Sequence, residues 1–500
     1  MGSVQKILRH PHSHKKAATK PTLRIQHTRP ENPLPLCVDL DGSLLRSDIL
    51  IESILILFKR APLDAFSLIF SLSLGKAHFK QEVARRACPD VRFLPYNLEL
   101  LKFLKTEKAS GRRILLVTGA HRLHAEAVAQ HLQLFDAIIA TDQNVNCVGP
   151  TKLKLIEGRL GPKNFIYVGN SADDLYVWQG AAEAITADLR ASLLADLAKI
   201  CTIQKEIKSS PPSWLHILRA LRVHHWAKSL LVFAPPLFAH RLHDLDLLKS
   251  TFFAFIAFSL ASSSVYILND LFDLESDRTH LSKRKRPWAA GILHPTAGFS
   301  MAAALIALSC GISLLLDKSL LLLIVSYHAT SVVYSLKLKE IPILDVIVLS
   351  LFYMSRVFAG SLVSHCYVSE WLLAFLSSLF LSLALLKRYS EINRISRHKT
   401  VKGRDYLGQD SQVVLSLGVS TGVCAILVLL LYLNSSQAQS LYRHPEWLGL
   451  ACPLCFYWVG KVWMLQNRDE SIEDPVTFIL RDPVSQIIGL AIVLILWVAT

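Results

Sequence analysis

The chain has 500 residues, 52% of them hydrophobic, and a formal net charge of +15 from 54 Lys and Arg against 39 Asp and Glu. That length is too great for one hydrophobic core and calls for at least two domains, and the hydrophobic fraction is high for a soluble protein. The apolar runs all fall after about residue 215, so the excess of cations is read as loops facing anionic lipid, and nucleic acid is excluded as a partner.

In chain order, residues 1–34 are basic, with no acid before Glu31 and no apolar core of a secretory signal, and read as a disordered tail. A short apolar strand at 36–40 (LCVDL) runs into Asp39-Leu40-Asp41-Gly42. A second strand at 114–117 ends at Thr118-Gly119, and a third at 165–168 ends at Gly169-Asn170-Ser171-Ala172-Asp173-Asp174. Helical segments lie between them. This is the pattern of a parallel α/β sheet, in which ligands gather at the carboxyl ends of strands, where all three polar clusters fall.

These elements, over about residues 35–200, resemble the haloacid dehalogenase superfamily of phosphohydrolases. The resemblance implies Asp39 as nucleophile, Asp41 as general acid and base, and Thr118 as a phosphate ligand. It implies Lys152 as the cation that neutralises nucleophile and phosphate, with Lys154 as the other candidate. Mg²⁺ would be held by Asp39, Asp41, Asn170 and Asp174; the family's usual acid at position 170 is here an asparagine, an oxygen donor without charge. A helical insertion from Ser47 to Asn97 is expected to form a small cap over this site.

Residues 201–213 (CTIQKEIKSSPPS) read as a linker. The rest, 214–500, is expected to be an all-α membrane domain of about nine spans: 229–240 (broken by Pro235 and Pro236), 251–270, 296–316, 319–335, 342–364, 370–386, 412–433, 446–465 and 483–499. Loop cations alternate with this count. Arg278 and Lys283 to Arg286, then Lys337 and Lys339, then Lys387, Arg388, Arg394, Arg397, Lys399, Lys402 and Arg404, then Arg468 and Arg481 follow the even-numbered spans. The amino-terminal domain and these loops therefore share the cytoplasmic face, with Thr500 outside, in what is expected to be a bacterial inner membrane. The nine cysteines have no framework spacing, and the CxxC of Cys452 and Cys455 inside an apolar run reads as packing.

The second span ends in Asn269-Asp270-Leu-Phe-Asp273-Leu-Glu-Ser-Asp277. Residues three and four apart share a helix face, so three carboxylates and an amide project together and call for a positive charge among them. Mg²⁺, a hard cation often shared with substrate phosphates, is the expected occupant. Lys228, beside His224, His225 and Trp226, is read either as a phosphate ligand or as an anchor snorkelling to the headgroups. Lys337, Lys387 and Arg388 are candidate phosphate ligands on the same face. Arg356, mid-span, needs an acid or a ligand, and Asp345 is a candidate partner if the helix bends or another span intervenes.

NDxxDxxxD after a span resembles the UbiA superfamily of intramembrane prenyltransferases, over about residues 215–500. The runs NDLFDLESDRTHLSKRKRPWAAG, YSLKLKEIPILDV and LKRYSE look like its decaprenyl-phosphate phosphoribosyltransferase branch. That likeness implies transfer of 5-phosphoribosyl from a cytoplasmic diphosphate donor, phosphoribosyl diphosphate, onto a polyprenyl phosphate in the membrane, with the fused phosphatase removing the 5-phosphate. Two alternatives stay open: a 4-hydroxybenzoate-type polyprenyltransferase of quinone biosynthesis, which normally carries a second acidic motif where only Asp345 is found here, and a non-enzymatic membrane scaffold. The oligomeric state is not legible.

Overall fold

The computed structural model describes residues 33–395, 404–468, 478–479 and 481–500. The expected tail up to residue 32 and the loop cations Arg397, Lys399 and Lys402 lie outside the described residues.

Six parallel strands form one sheet in the order β3-β2-β1-β4-β5-β6: β1 (Leu36–Val38), β2 (Ile114–His121), β3 (Ala137–Thr141), β4 (Ile166–Gly169), β5 (Glu183–Ala187) and β6 (Thr202–Ile207). Central β1 is in register with both neighbours, Leu36 opposite Ile114 and Ile166. Successive side chains enter opposite cores, Leu36, Val38, Ile114 and Leu116 on one face and Cys37, Leu115 and Val117 on the other. A sheet covered on both faces accounts for strands that read as unbroken apolar runs. The expected linker is shorter than 201–213, because 202–207 is strand β6. Its TIQKEI is mostly exposed, as suits a charged edge strand.

Between β1 and β2 the chain leaves the sheet as a helical cap: α1 (Ile49–Arg60), α2 (Pro62–Ser67) and α3 (Lys76–Arg86). Helices α4 (Leu98–Ala109), α5 (Arg122–Leu132), α6 (Gly149–Leu160), α7 (Asp174–Gly180) and α8 (Ala191–Ile200) pack around the sheet. Helix α1 is specified at both ends. The Asp48 carboxylate accepts the N–H groups of Leu50 and Ile51 at 2.9 and 3.0 Å, and Lys59 and Arg60 sit in the last turn, where the helix dipole favours cations.

After α9 (Trp214–Leu221) comes a 3₁₀ stretch, Val223–Phe233, and the short α10 (Ala234–Phe238). The first expected span is therefore not one helix. Pro235 and Pro236 lie in the first turn of α10, where a missing N–H is tolerated, and so start a helix instead of continuing one. The bundle continues as α11 (Leu245–Phe272), α12 (Leu274–Thr279), α13 (Pro295–Leu316), α14 (Lys318–Leu336), α15 (Leu344–Ser364), α16 (Glu370–Ile392), α17 (Ser411–Leu433), α18 (Ser436–Leu441), α19 (Ala451–Asn467) and α20 (Pro483–Ala499). Among the described residues seven helical segments are long and apolar enough to cross a membrane, and the 17-residue α20 is a shorter apolar helix. All nine cysteines are free, with Cys452 and Cys455 both on α19.

The two halves dock through α1. Leu55 packs in one buried cluster with Ile267, Leu271, Leu274 and Trp288 of the membrane domain. Nearby, Gly291 (φ +67°) comes so close to the soluble domain that a Cβ there would lie 2.7 Å from the Pro95 Cβ. A side chain at 291 is excluded both by the left-handed backbone and by this approach.

Two candidate active sites

The loop after β1 carries Asp39 and Asp41, and α7 begins at Asp174 just beyond β4. Lys152, on α6, reaches across to both strand ends: its Nζ lies 2.9 Å from Asp39 Oδ1 and 3.4 Å from Asp174 Oδ1. Lys154 is exposed, so Lys152 occupies the expected position. The Tyr167 hydroxyl, on β4, donates to Asp174 Oδ1 at 2.6 Å and accepts from Lys152 at 2.9 Å. Sequence reading passed over this tyrosine as part of an apolar strand. Asp174 Oδ2 takes the N–H groups of Asn170 and Ser171 and the Ser171 hydroxyl. Burial opposes the charge on Asp174, but Lys152, Tyr167 and these N–H groups outweigh it and hold its carboxyl below the usual range.

Asp39 accepts the Ser43 hydroxyl at 3.1 Å on its other oxygen. Burial pushes its carboxyl up to about 6, against the pull of Lys152. Asp41 accepts the Ile49 N–H at 2.9 Å and, buried beside Asp48, is pushed well above the usual carboxylate range. Burial thus raises both carboxyls, Asp41 with no lysine bonded to it among the described residues and Asp39 against the opposing pull of Lys152. Thr118 is fully buried on β2 and accepts the Ala120 N–H at 2.9 Å. The Asn170 side chain covers Gly42: a Cβ on that residue (φ +77°) would lie 2.2 Å from the Asn170 amide nitrogen. Asn170 thus lies against the Asp39–Asp41 loop, while Asp173 is exposed. Lys80, on cap helix α3, bonds the Gly119 carbonyl at 2.6 Å and Asn146 Oδ1 at 3.0 Å, bringing a second cation from the cap.

The membrane site forms where α11 gives way to α12. The backbone bonds Asp273 N to Asn269 O (2.9 Å) and Asp277 N to Asp273 O (2.8 Å) carry helical pairing through the junction. Asp270 and Asp277, two turns apart, share the guanidinium of Arg286 at 3.0 and 2.6 Å, and Asp270 also takes Arg222 at 2.5 Å. Asp273 lies beside other cations, Lys59 at 2.6 Å and Lys339 at 3.9 Å. Asn269 Oδ1 accepts the Ser335 hydroxyl at 2.5 Å. The positive charge that three carboxylates require is thus supplied by side chains, and among the described residues no three His, Cys, Asp or Glu side chains converge as they stand on one metal position. The donor set of three carboxylates and an amide oxygen still suits Mg²⁺ by chemistry.

Of the expected phosphate ligands, Lys337 ends α14 exposed, and it is Lys339, two residues on, that faces Asp273. Lys228 lies over the Tyr353 ring at 5.8 Å, and Lys387 is half-buried on α16. Arg388 is fully buried and turned to acids: Asp345 at 2.6 Å, and Glu391. Asp345 also takes Arg404 at 3.1 Å and the Tyr406 hydroxyl at 2.7 Å. The expected pairing of Asp345 with Arg356 is therefore corrected. Arg356 bonds the Ser262 hydroxyl at 2.9 Å and the Phe352 carbonyl, and lies over the rings of Phe258 and Tyr327. Hydroxyl, carbonyl and ring faces thus stand around the guanidinium in place of an acid, while its buried Nε has no hydrogen-bond partner among the described residues.

Residues 230–480 match the UbiA prenyltransferase family, and residues 37–178 match haloacid dehalogenase-like hydrolase. The chain is 33% identical over 466 residues to the uncharacterized protein y4nM of Sinorhizobium fredii, covering 92% of this chain and 90% of that one. It is 35% identical over 282 residues to nodulation protein NoeC of Azorhizobium caulinodans, covering 55% of this chain and 91% of that one. It is 36% identical over 198 residues to decaprenyl-phosphate phosphoribosyltransferase of Corynebacterium glutamicum, covering 38% of this chain and 59% of that one. With its acid-bearing helix at the mouth of an apolar bundle and its α/β domain docked there, the chain belongs to the UbiA prenyltransferase family and is an integral membrane protein carrying a haloacid dehalogenase-like domain at its amino end.

Proposed function

We propose that the membrane half transfers 5-phosphoribosyl from phosphoribosyl diphosphate to a polyprenyl phosphate, and that the soluble half then removes the 5-phosphate. One observation carries this reading. A single helix joins the two acidic centres: the first N–H of α1, from Ile49, is bonded to Asp41, and Lys59 in its last turn is bonded to Asp273. Twelve residues of helix span about 18 Å, which is the distance a product has to cross from one centre to the other.

At the membrane centre the bond from ribose C1 to the diphosphate oxygen breaks, an oxygen of the lipid phosphate bonds C1, and diphosphate leaves. Negative charge grows on the leaving group, and Arg222, Arg286, Lys59 and Lys339 are already gathered there to meet it. Mg²⁺ held by Asn269, Asp270, Asp273 and Asp277 would add charge stabilisation to the same diphosphate. Asp345, the one candidate for a second acidic motif, is enclosed by Arg388, Arg404 and Tyr406, which counts against the aromatic-acceptor alternative.

At the soluble centre Asp39 attacks phosphorus, and Asp41 gives its proton to the departing ribose oxygen. Asp41 then takes a proton from water, which attacks the aspartyl phosphate and frees Asp39 and phosphate. Lys152 steadies the carboxylate of Asp39 before attack, while Asp39, Asp41, Asn170 and Asp174 would hold the Mg²⁺ of this centre. By this reading the soluble domain and the acid-bearing loops face the cytoplasm of a bacterial inner membrane.

The test incubates membranes bearing the protein with labelled phosphoribosyl diphosphate, polyprenyl phosphate and Mg²⁺. Label is expected in the lipid fraction, followed by release of phosphate from the lipid product. No label in lipid refutes the transferase reading, and label entering lipid from a prenyl diphosphate and 4-hydroxybenzoate instead would install the alternative.

A further inference from the structure

Asp270 and Asp277 are buried behind arginines, but Asp273 stays partly open to water. An anion arriving from solution with its cation therefore meets Asp273 first. Asp273 is partnered by two lysines from distant parts of the chain, Lys339 after α14 and Lys59 at the end of cap helix α1. Lys59 is held at the membrane motif independently of that ion pair, because Leu55 is buried against Leu271 and Leu274 and because Glu52 holds Arg278 one turn nearer the start of α1.

We propose that Lys59 is a substrate-binding residue of the membrane centre, supplied by the phosphatase domain. In the free protein it neutralises Asp273. When Asp273 takes a divalent cation, the Lys59 ammonium passes to an oxygen of the bound diphosphate. An ammonium on a flexible stem is a point charge with three rotatable donors, so the exchange needs side-chain rotation only. The two domains then share one diphosphate site, and the transferase is incomplete without its neighbour. This rests on the metal–diphosphate reading given above.

The test measures binding of inorganic pyrophosphate to the full-length protein in detergent, with and without Mg²⁺, by calorimetry. Wild type is expected to bind only with Mg²⁺. Lys59→Ala is expected to weaken binding about tenfold, the loss of one charge-assisted hydrogen bond, and Lys59→Arg to regain part of it. Arg60→Ala removes the adjacent docking pair with Glu275, at 3.4 Å, and is expected to leave affinity within about twofold. Unchanged or tighter binding by Lys59→Ala overturns the inference, as does an equal loss from Arg60→Ala, which would make Lys59 a docking contact only. A wild type that binds no pyrophosphate with Mg²⁺ overturns the metal–diphosphate reading itself and this inference with it.

Discussion

Glu52 and Arg278 meet across the domain boundary in a two-bonded ion pair, Arg278 Nη1 to Glu52 Oε2 at 2.5 Å and Nη2 to Oε1 at 2.8 Å, with both side chains buried. The third guanidinium nitrogen, Nε, donates to the Ala289 carbonyl at 3.0 Å. Arg278 lies next to Asp277, so the phosphatase domain draws a cation away from the motif and fixes α12, which carries that acid.

Glu52→Ala leaves a buried guanidinium without its counter-charge, a loss of about 3–5 kcal/mol. The expected outcome is a clear fall in melting temperature in detergent and faster proteolysis between the domains, at 208–213. Replacing both partners together, Glu52→Leu with Arg278→Met, is expected to recover most of the loss. A Glu52→Ala protein as stable as wild type would mean that the pair does not hold the domains together.

The two chemistries are expected to separate by mutation. Asp39→Asn removes the attacking carboxylate and is expected to lower phosphate release by about 10³-fold or more. It is also expected to leave transfer of label into lipid within about twofold of wild type, since additivity holds for distant sites. Loss of transfer of the same size would show that the halves are not separate catalysts.

Neutralising two membrane carboxylates is expected to do the reverse. Asp270→Asn with Asp273→Asn is expected to cut transfer by about 10²–10³-fold or more, with phosphate release from a soluble phosphate ester retained. The side chains remain the same size, and retention volume and circular dichroism are expected to match wild type. Undiminished transfer in this folded double variant ends the case for the motif.

How far these sites were legible in the sequence follows from what spacing can encode. Asp39, Thr118 and Asp174 were found because each closes an apolar strand run, and strand ends converge in a parallel sheet. Asp270, Asp273 and Asp277 were found because helical period puts neighbours three and four apart. Arg286, nine residues past Asp277, was legible as a cation beside the motif, but Arg222 and Lys59 were not, because a helix face says nothing of what packs on it: Arg222 comes from 48 residues away and Lys59 from 214. Lys337 was favoured over Lys339 for the same reason, since both sit in one basic run and only the turn 338–340 decides which faces Asp273. Strand β6 was missed because an edge strand, half in water, has neither the apolar run nor a clean alternation to announce it.

The seam between cap and sheet carries a titration. His124, on α5, is 1% exposed, and its Nε2 lies 3.1 Å from the Ser53 hydroxyl of α1 and 3.2 Å from the Ala87 carbonyl that follows α3. The Ser53 hydroxyl donates to the Ile49 carbonyl, so it accepts from the ring, which is neutral with its proton on Nε2. Burial lowers the pKa of His124 below its ordinary 6.5, and the positive influence of His121 adds to this; the Ala87 carbonyl and Asp48 oppose it without prevailing. With a depressed folded value, the unfolded chain binds a proton that the folded chain refuses as pH falls through 6.5. The contribution of His124 to stability is therefore complete above that pH and declines below it. Wild type is expected to lose more melting temperature between about pH 7.5 and 5.5 than His124→Gln, whose amide can still bond Ser53 or Ala87 but cannot titrate. His121 titrates in both proteins, so the difference between their slopes isolates His124. Parallel slopes would mean that His124 is protonated in the folded state as readily as in the unfolded one, and that the cap seam does not sense pH through this ring.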